Sequence, residues 1–464
     1  MMARPEASGR AIADVGPATW FACAGCGARP AEGTPVPLIC PNAVTGDGID
    51  HVLVRHVDPA GAPMPAADDP NPFIAYRTLF HAWHAARALG WTDDAYIALV
   101  RRLDDAVARV DGHGFRVTPF ARSDALSVAL GLSSAGGAWI KDETGNVSGS
   151  HKARHLFGTL LELEVGGVDH EASLAIASCG NAALAAAVVA RAGGRRLLVF
   201  IPPDADAAVV ARLRTLGATL TVCERQPGVA GDPTYLALLD AIDDGALPFT
   251  CQGNLNAFAV EGGETLGLEL AAAVGRPGGP PRIDRVVIQV GGGALASSVM
   301  AGFADAGAAG IQVDRPRFDT VQTRGAFPLA RAYERVAARV TSGESVETAL
   351  TFAAHHRADF MWPWEEAPHS VAHGILDDET YDWQAVVAGM LRTGGTPLVV
   401  DEATLEAAND LARVTTGIDV DHTGSAGLAG LLQLSRGGAL GPDEHVVICF
   451  SGITRHSEQE DTRS

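Results

Sequence analysis

Lysine is almost missing from this chain of 464 residues. Of its 35 basic residues 33 are arginine, and both lysines, Lys141 and Lys152, lie in one twelve-residue segment, KDETGNVSGSHK. A lysine kept against such a bias points to work that Arg cannot do, and losing a proton to become a nucleophilic amine is one such task. Chance and an ordinary surface lysine are the bland alternative. Basic charge is scarce overall: the net charge of −20 speaks against nucleic acid or an anionic membrane as partner. Seven cysteines in this length do not make a disulfide framework. No run of about 18 strongly apolar residues occurs, so no membrane span is expected. The opening MMARPEASGRAIADVGPATW has no apolar core of a signal peptide, so the expected location is cytoplasmic. What is present, 47% hydrophobic against 19% charged residues, reads as a globular chain of two or three domains.

From about residue 170 short apolar runs alternate with helical patterns. LAIASC (174–179) reads as a strand, NAALAAAVVARAGG (181–194) as an Ala-rich helix, and RLLVFIP (196–202) as a strand; the helix ADAAVVARLRTLG and the strand TLTVCE follow. The rhythm resumes with the helix EGGETLGLELAAAVG, the strand RVVIQV (285–290) and the helix LASSVMAGFADAG, and HVVICFSG (445–452) is a buried strand. This βαβ order predicts parallel sheets covered by helices on both faces. Residues 1–70 are loop-rich and lead into the linker DPAGAPMPAADDPNP, while residues 355–385 concentrate His, Trp and acidic side chains.

Three segments carry chemistry. NVSGSHKARHLFGTLLEL runs from a small-residue loop into an amphipathic helix with Lys152 in its first turn. There the positive end of the helix dipole favours an uncharged amine, suited to a Schiff base with an aldehyde cofactor. SCGNAALAAA (178–187) offers Ser178, Cys179, Gly180 and Asn181 to an anion at a helix start, or else Asn181 is a plain N-cap. VGGGALASS (290–298) is a Gly-rich turn able to close around a phosphate. Gly291, Gly293 and Ala296 also fit a loose dinucleotide fingerprint with Asp314 as the ribose acid, the pattern of a nicotinamide-dependent oxidoreductase.

In this order the segments resemble the fold-type II pyridoxal-phosphate enzymes, the threonine synthases, cysteate synthases, serine/threonine dehydratases and tryptophan synthase β-chains. The lysine segment of that superfamily stands here as Lys141, Glu143, Asn146, Ser148, Gly149, Ser150, His151, Lys152, Ala153 and Arg154, preceded by Thr118-Pro119-Phe120. Ser178–Asn181 matches the cofactor-side loop, whose Asn bonds the phenolic oxygen in the family. Gly291, Gly292, Gly293, Ala294 and Leu295 match the phosphate loop, 256–270 and 422–432 match two further helices, and Ser451 falls where a Ser or Thr faces the pyridine nitrogen. The resemblance spans about residues 115–455. It implies two doubly wound αβα domains with the cofactor in the cleft between them: an arm over 1–70, a large domain over 71–154 and 256–464, and a smaller inserted domain over 155–255. It implies a homodimer. The expected reaction is elimination or replacement on a β- or γ-substituted amino acid, nearest to threonine synthase, with a dehydratase or a β-replacement synthase as the alternative. Lys152 is then the Schiff-base lysine and afterwards the base at Cα, His151 lies beside the cofactor, and Ser148, Ser178, Cys179 and Gly180 hold the substrate.

Some residues depart from the family pattern. FACAGCGARPAEGTPVPLICPN is similar to the zinc-ribbon start of threonine synthases, with Cys23, Cys26 and Cys40 in place and the fourth cysteine missing; Asp47 or His51 are possible substitutes. Ala259 and Glu264 stand where threonine synthases often carry basic residues, which weakens the case for a phosphorylated substrate. His151 replaces the usual Phe and Ala153 the usual Asp. His369, His373, Asp377, Asp378 and Trp383 are candidates for a pocket mouth; alternatively Trp362 and Trp364 are core and the histidines surface. Cys179 reads as a small packing residue rather than a nucleophile.

Overall fold

Short β-branched runs separated by helices give two separate sheets in the computed structural model, which describes residues 18–455 apart from 32, 35, 45, 59–60, 63–68, 226–230 and 312–314. In chain order the strands are β1 (Thr19–Cys23), β2 (Leu53–Val57), β3 (Phe120–Ser123), β4 (Gly137–Asp142), β5 (Leu174–Ala177), β6 (Leu197–Ile201), β7 (Thr219–Val222), β8 (Leu247–Pro248), β9 (Arg285–Gln289), β10 (Arg317–Thr323), β11 (Pro397–Val400) and β12 (His445–Phe450). One sheet has the order β11-β10-β9-β12-β4-β3 and the other β7-β6-β5-β8. All pairings in both are parallel except the edge pair β3–β4. β1 and β2 form an antiparallel hairpin of their own. The chain leaves the larger sheet after β4, builds the smaller one, and returns at β9.

The two crossings are the helices Lys152–Val165 and Phe258–Ala273, which pack against each other. Glycine permits it: a Cβ on Gly158 would stand 2.6 Å from the Cα of Gly262. Beneath the Lys152 helix, Phe73, Phe115 and Phe157 pack with ring centroids 4.6–5.1 Å apart. The start of that helix is thus fixed by a rigid aromatic core. No helix among the described residues is long and apolar enough to cross a membrane.

Candidate active site

Lys152 opens the helix Lys152–Val165 and is half-buried. The loop before it is pinned to the end of β12, because the Glu143 amide donates to Phe450 O (2.8 Å) and the His151 amide to Ser451 O (3.1 Å). Ser148 has φ +56°, alone among the described non-glycine residues in the left-handed region. Asp111 holds its amide (2.7 Å) and Arg455 its carbonyl (2.6 Å). His151 is buried and bonded through Nδ1 to Ser451 O at 3.1 Å, which leaves Nε2 buried without a partner. Burial, with the positive charge of Lys152 nearby, pushes its pKa well down, so the ring is neutral.

The two lysines have separate roles. Lys141, at the end of β4, is fully buried; its ammonium donates to Thr118 O (2.8 Å) and to the Glu269 carboxylate. Arg154 bridges the same Glu269 (2.6 Å) to Glu143 (2.8 and 2.9 Å). Burial works against ionising Glu269, but Arg154 and Lys141 outweigh it and hold that carboxyl below its ordinary range. Lys141 is therefore a structural cation in a packed ion cluster, and Lys152 is the lysine outside it.

β9 runs into Gly291–Gly293 and the helix Ala294–Ala308, with Gly293 at φ +99° as its N-cap. Residues 377–382 lie directly on this loop: a Cβ on Gly292 would meet the Tyr381 ring at 3.1 Å, and one on Gly293 the Thr380 methyl at 3.1 Å. Thr380 Oγ1 donates to Gly291 O (2.9 Å) and the Asp382 amide to Gly292 O (3.0 Å). Asp377 accepts from the Gly292 amide; burial, partly offset by Lys152, pushes its carboxyl up to about 6. Ser451 Oγ accepts from Gln289 Nε2 (2.7 Å), so its own proton remains to be donated. A pyridine ring nitrogen is the acceptor that suits it, and the amide-lined glycine loop at a helix start suits a phosphate. These residues fit pyridoxal phosphate.

Across the cleft, Gly180 and not Asn181 occupies the N-cap of the helix Asn181–Ala192. The Asn181 amide instead accepts from Arg455 (2.8 Å) and donates to Asp421, beside Gly452. Ser178 Oγ accepts from the Gly180 amide at 3.4 Å. Burial pushes the Cys179 thiol up, which disfavours the thiolate and leaves it a packing residue. Of the 355–385 group, Asp377 reaches the glycine loop; His369 and His373 are exposed, and Trp383 is core, stacked on Phe360. Trp362 and Trp364 are half-buried against Arg331, with its guanidinium 4.0 and 4.6 Å from their ring centres. Glu264 is taken up by Arg55 and so is no substrate group, while Ala259 O accepts from His155 Nδ1 (2.7 Å). Asp314 lies outside the described residues. Gln289, Arg455 and Asp421, which bond Ser451 or Asn181, were not singled out from the sequence.

Asp382 gives a pH prediction. It is buried, accepts from the Gly253 amide, and burial together with the Asp50 charge pushes its carboxyl up to about 7 from 3.8. Between roughly pH 4 and 7 the native state keeps a proton that the unfolded chain releases, so stability falls as pH rises through that window and is level above it. Asp382→Asn keeps the acceptor and removes the charge. At pH 8 the cofactor-free variant is expected to be more stable than the parent by about 2–4 kcal/mol, with the gap closing near pH 4. Urea unfolding at both pH values decides it; an equal gap at both would refute the assignment.

A second cluster sits in the arm. Cys23, Cys26, Cys40 and His51 place their ligand atoms within 4.8 Å of one another. Cys26 Sγ lies 3.7 Å from Cys40 Sγ, and His51 Nδ1 lies 3.7 and 3.4 Å from Cys23 and Cys40. His51 Nε2 is bonded to Asp47 Oδ2 at 2.8 Å, so Asp47 orients the ring rather than joining the cluster. The hairpin that carries this cluster is anchored by Arg55, which pairs with Glu261 (3.0 Å), Asp305 (2.6 Å) and Glu264.

Comparison with known proteins agrees with this geometry. The model of the family described as "Pyridoxal-phosphate dependent enzyme" matches residues 113–452. The chain belongs to this family. Threonine synthase of Methanosarcina acetivorans is 27% identical over 339 residues, 72% of this chain and 74% of that protein. A mouse protein described as serine dehydratase-like is 30% identical over 222 residues, 47% of this chain and 60% of its own. Among solved structures, the processed threonine deaminase isoform 2 of Solanum lycopersicum superposes with a TM-score of 0.57 at 16% identity, covering 80% of this chain and 93% of that one. The fold is that of the fold-type II pyridoxal-phosphate enzymes. This family member is threonine synthase-like and uses pyridoxal phosphate as a lyase or synthase, for elimination or replacement on an amino acid.

Proposed function

We propose that this pyridoxal-phosphate enzyme acts on a β- or γ-substituted amino acid in the manner of a threonine synthase. The observation that carries the reading is that Lys152 starts a helix next to His151, which bonds Ser451 O, while the lysine's charge acts on Asp377, the carboxyl that accepts from the Gly292 amide. Lys152 would hold the cofactor and would serve as the base that moves the Cα proton. The loop from Gly291 to Leu295 would hold the phosphate, His151 would stand beside the cofactor, Ser451 would donate to the ring nitrogen, and Asn181 would contribute to the same site. The backbone at Ser178, Cys179 and Gly180 grips the substrate carboxylate, with Ser148 beside it. A hydroxyl at the ring nitrogen leaves that nitrogen unprotonated, and the bound cofactor then supplies a moderate electron sink suited to elimination and replacement. The division into an arm, a large domain and an inserted domain, the homodimer and the cytoplasmic location belong to the same reading.

A second reading, a serine/threonine dehydratase, draws support from charge. The side chains that feel the Lys152 ammonium include the carboxyls of Asp377 and Asp382, and position 264 is acidic. Those surroundings suit an uncharged leaving hydroxyl better than a phosphate. Incubating the holoenzyme separately with O-phosphohomoserine, serine, threonine and O-acetylserine separates the two. Phosphate and threonine from the first compound support the synthase; keto acid and ammonia from serine or threonine support the dehydratase. Turnover of none would overturn both.

We infer in addition that Cys23, Cys26, Cys40 and His51 hold a structural zinc ion, with Asp47 behind the histidine. Three thiolates and one imidazole in a closed set suit zinc. The purified chain is expected to carry about one zinc per molecule and His51→Ala much less. Chelation is expected to lower the melting temperature of the parent by several degrees and to leave the variant unmoved. Metal analysis that finds no zinc in freshly purified parent would dispose of the site.

A further inference from the structure

The arm is tied to the cofactor side of the cleft by one buried carboxylate, Asp50, which neighbours His51. Asp50 is 4% exposed. Its Oδ1 accepts from Arg357 Nε (3.0 Å) and its Oδ2 from Gln384 Nε2 (2.8 Å). Arg357 pairs in turn with Glu379. Backbone bonds fix the same junction: the Asp50 amide donates to Ala354 O (2.8 Å) and the Arg357 amide to Gly48 O (2.9 Å). Asp50 therefore grips both ends of the stretch 379–384, Glu379 through Arg357 and Gln384 directly. Between those ends stand Thr380, Tyr381 and Asp382, the residues that bond or press on Gly291, Gly292 and Gly293.

We propose that Asp50 is a positioning residue for the phosphate end of the cofactor site: it holds 379–384 against the glycine loop and so keeps that loop in the shape that receives the phosphate. Amide cradles bind anions through geometry fixed in advance, so a loop free to relax loses affinity without losing any ligand. The inference rests on the pyridoxal-phosphate reading of the loop and assigns its support to a residue more than 200 positions away in sequence. Asp50 is the group that joins the two ends, through Arg357 to Glu379 and directly to Gln384.

The test is an absorbance titration of the cofactor-free protein with pyridoxal phosphate and, separately, with pyridoxal, which lacks the phosphate. The proteins are the parent, Asp50→Asn, Asp50→Ala and Thr380→Val. Both Asp50 variants are expected to bind pyridoxal phosphate at least tenfold more weakly while binding pyridoxal within about twofold of the parent. Thr380→Val is expected to move the same quantity in the same direction, and the Asp50→Asn/Thr380→Val double variant to fall short of the product of the two effects. Asp50→Asn keeps the side-chain volume, so the test stands if Asp50→Ala does not fold. A melting temperature that falls while both affinities stay within twofold, or equal weakening for both compounds, overturns the inference and leaves the cofactor reading intact. A parent that takes up neither compound overturns both.

Discussion

Lys152→Ala is expected to purify without the violet-absorbing band that borohydride bleaches in the parent, and to turn over substrate at least about a thousandfold more slowly. The effect should be this large because no other amine can take its place. Of the 35 basic residues only Lys141 is another lysine, and its ammonium is committed to Thr118 O and the Glu269 carboxylate inside a sealed cluster. Arginine cannot serve, since it keeps its proton at any pH the protein survives. The comparison that matters is between the two lysines. Lys141→Met should lose stability and keep the bleachable band; Lys152→Ala should fold as the parent does and lose it. A variant at position 152 that still shows the band would move the chemistry elsewhere.

The pairing of these lysines also shows where sequence reasoning reached and where it stopped. Scarcity of lysine drew attention to both positions, and the structure sets the two apart. Lys152 lies outside the ion cluster and is the one proposed for the chemistry. Lys141 is spent inside the cluster, on Thr118 O and the Glu269 carboxylate. The parallel βα stretch from 174 to 201 was legible because its strands LAIA and LLVFI are continuous apolar runs and the helix between them is Ala-rich. β4, β10 and β11 were not. β10 reads RFDTVQT, and its buried Asp319 and Gln322 have acceptor oxygens with partners: Asp319 accepts from the Thr396 amide (2.7 Å) and Gln322 Oε1 from the Ala330 amide (3.2 Å). Alternation rules cannot foresee such pairings.

The site divides in the same way. Glycine loops, the lysine turn and the SCGN turn are local in sequence, so they show as motifs. His51 was one of two substitutes offered for a missing ligand, and only the fold separates it from Asp47, which turns out to hold the histidine. Asp50, Arg357 and Glu379 carry no motif at all. Their meaning lies in contacts across some 300 residues, and each read singly is an ordinary charge.

Arg154→Met is expected to destabilise the protein by about 3–5 kcal/mol, the cost of breaking a buried ion cluster from one side. Arg154 has no exposed surface and donates to Glu143, Glu269, Thr118 and Thr265. Removing it strands two carboxylates, with only Lys141 left to balance Glu269. The loss is thus a desolvation penalty left uncompensated, and it should shrink when one carboxylate goes too. Arg154→Met with Glu143→Gln is expected to recover part of the loss, whereas two independent sites would add. Urea unfolding of the two single variants, the double variant and the parent closes the cycle. The result bears on catalysis, because Arg154 lies two residues beyond Lys152 and Glu143 opens the loop that leads to it. If the double variant regains stability and its borohydride-bleachable band together, the cluster works by holding that loop. Stability regained without the band would mean that the charge of Glu143 itself is needed to set the lysine.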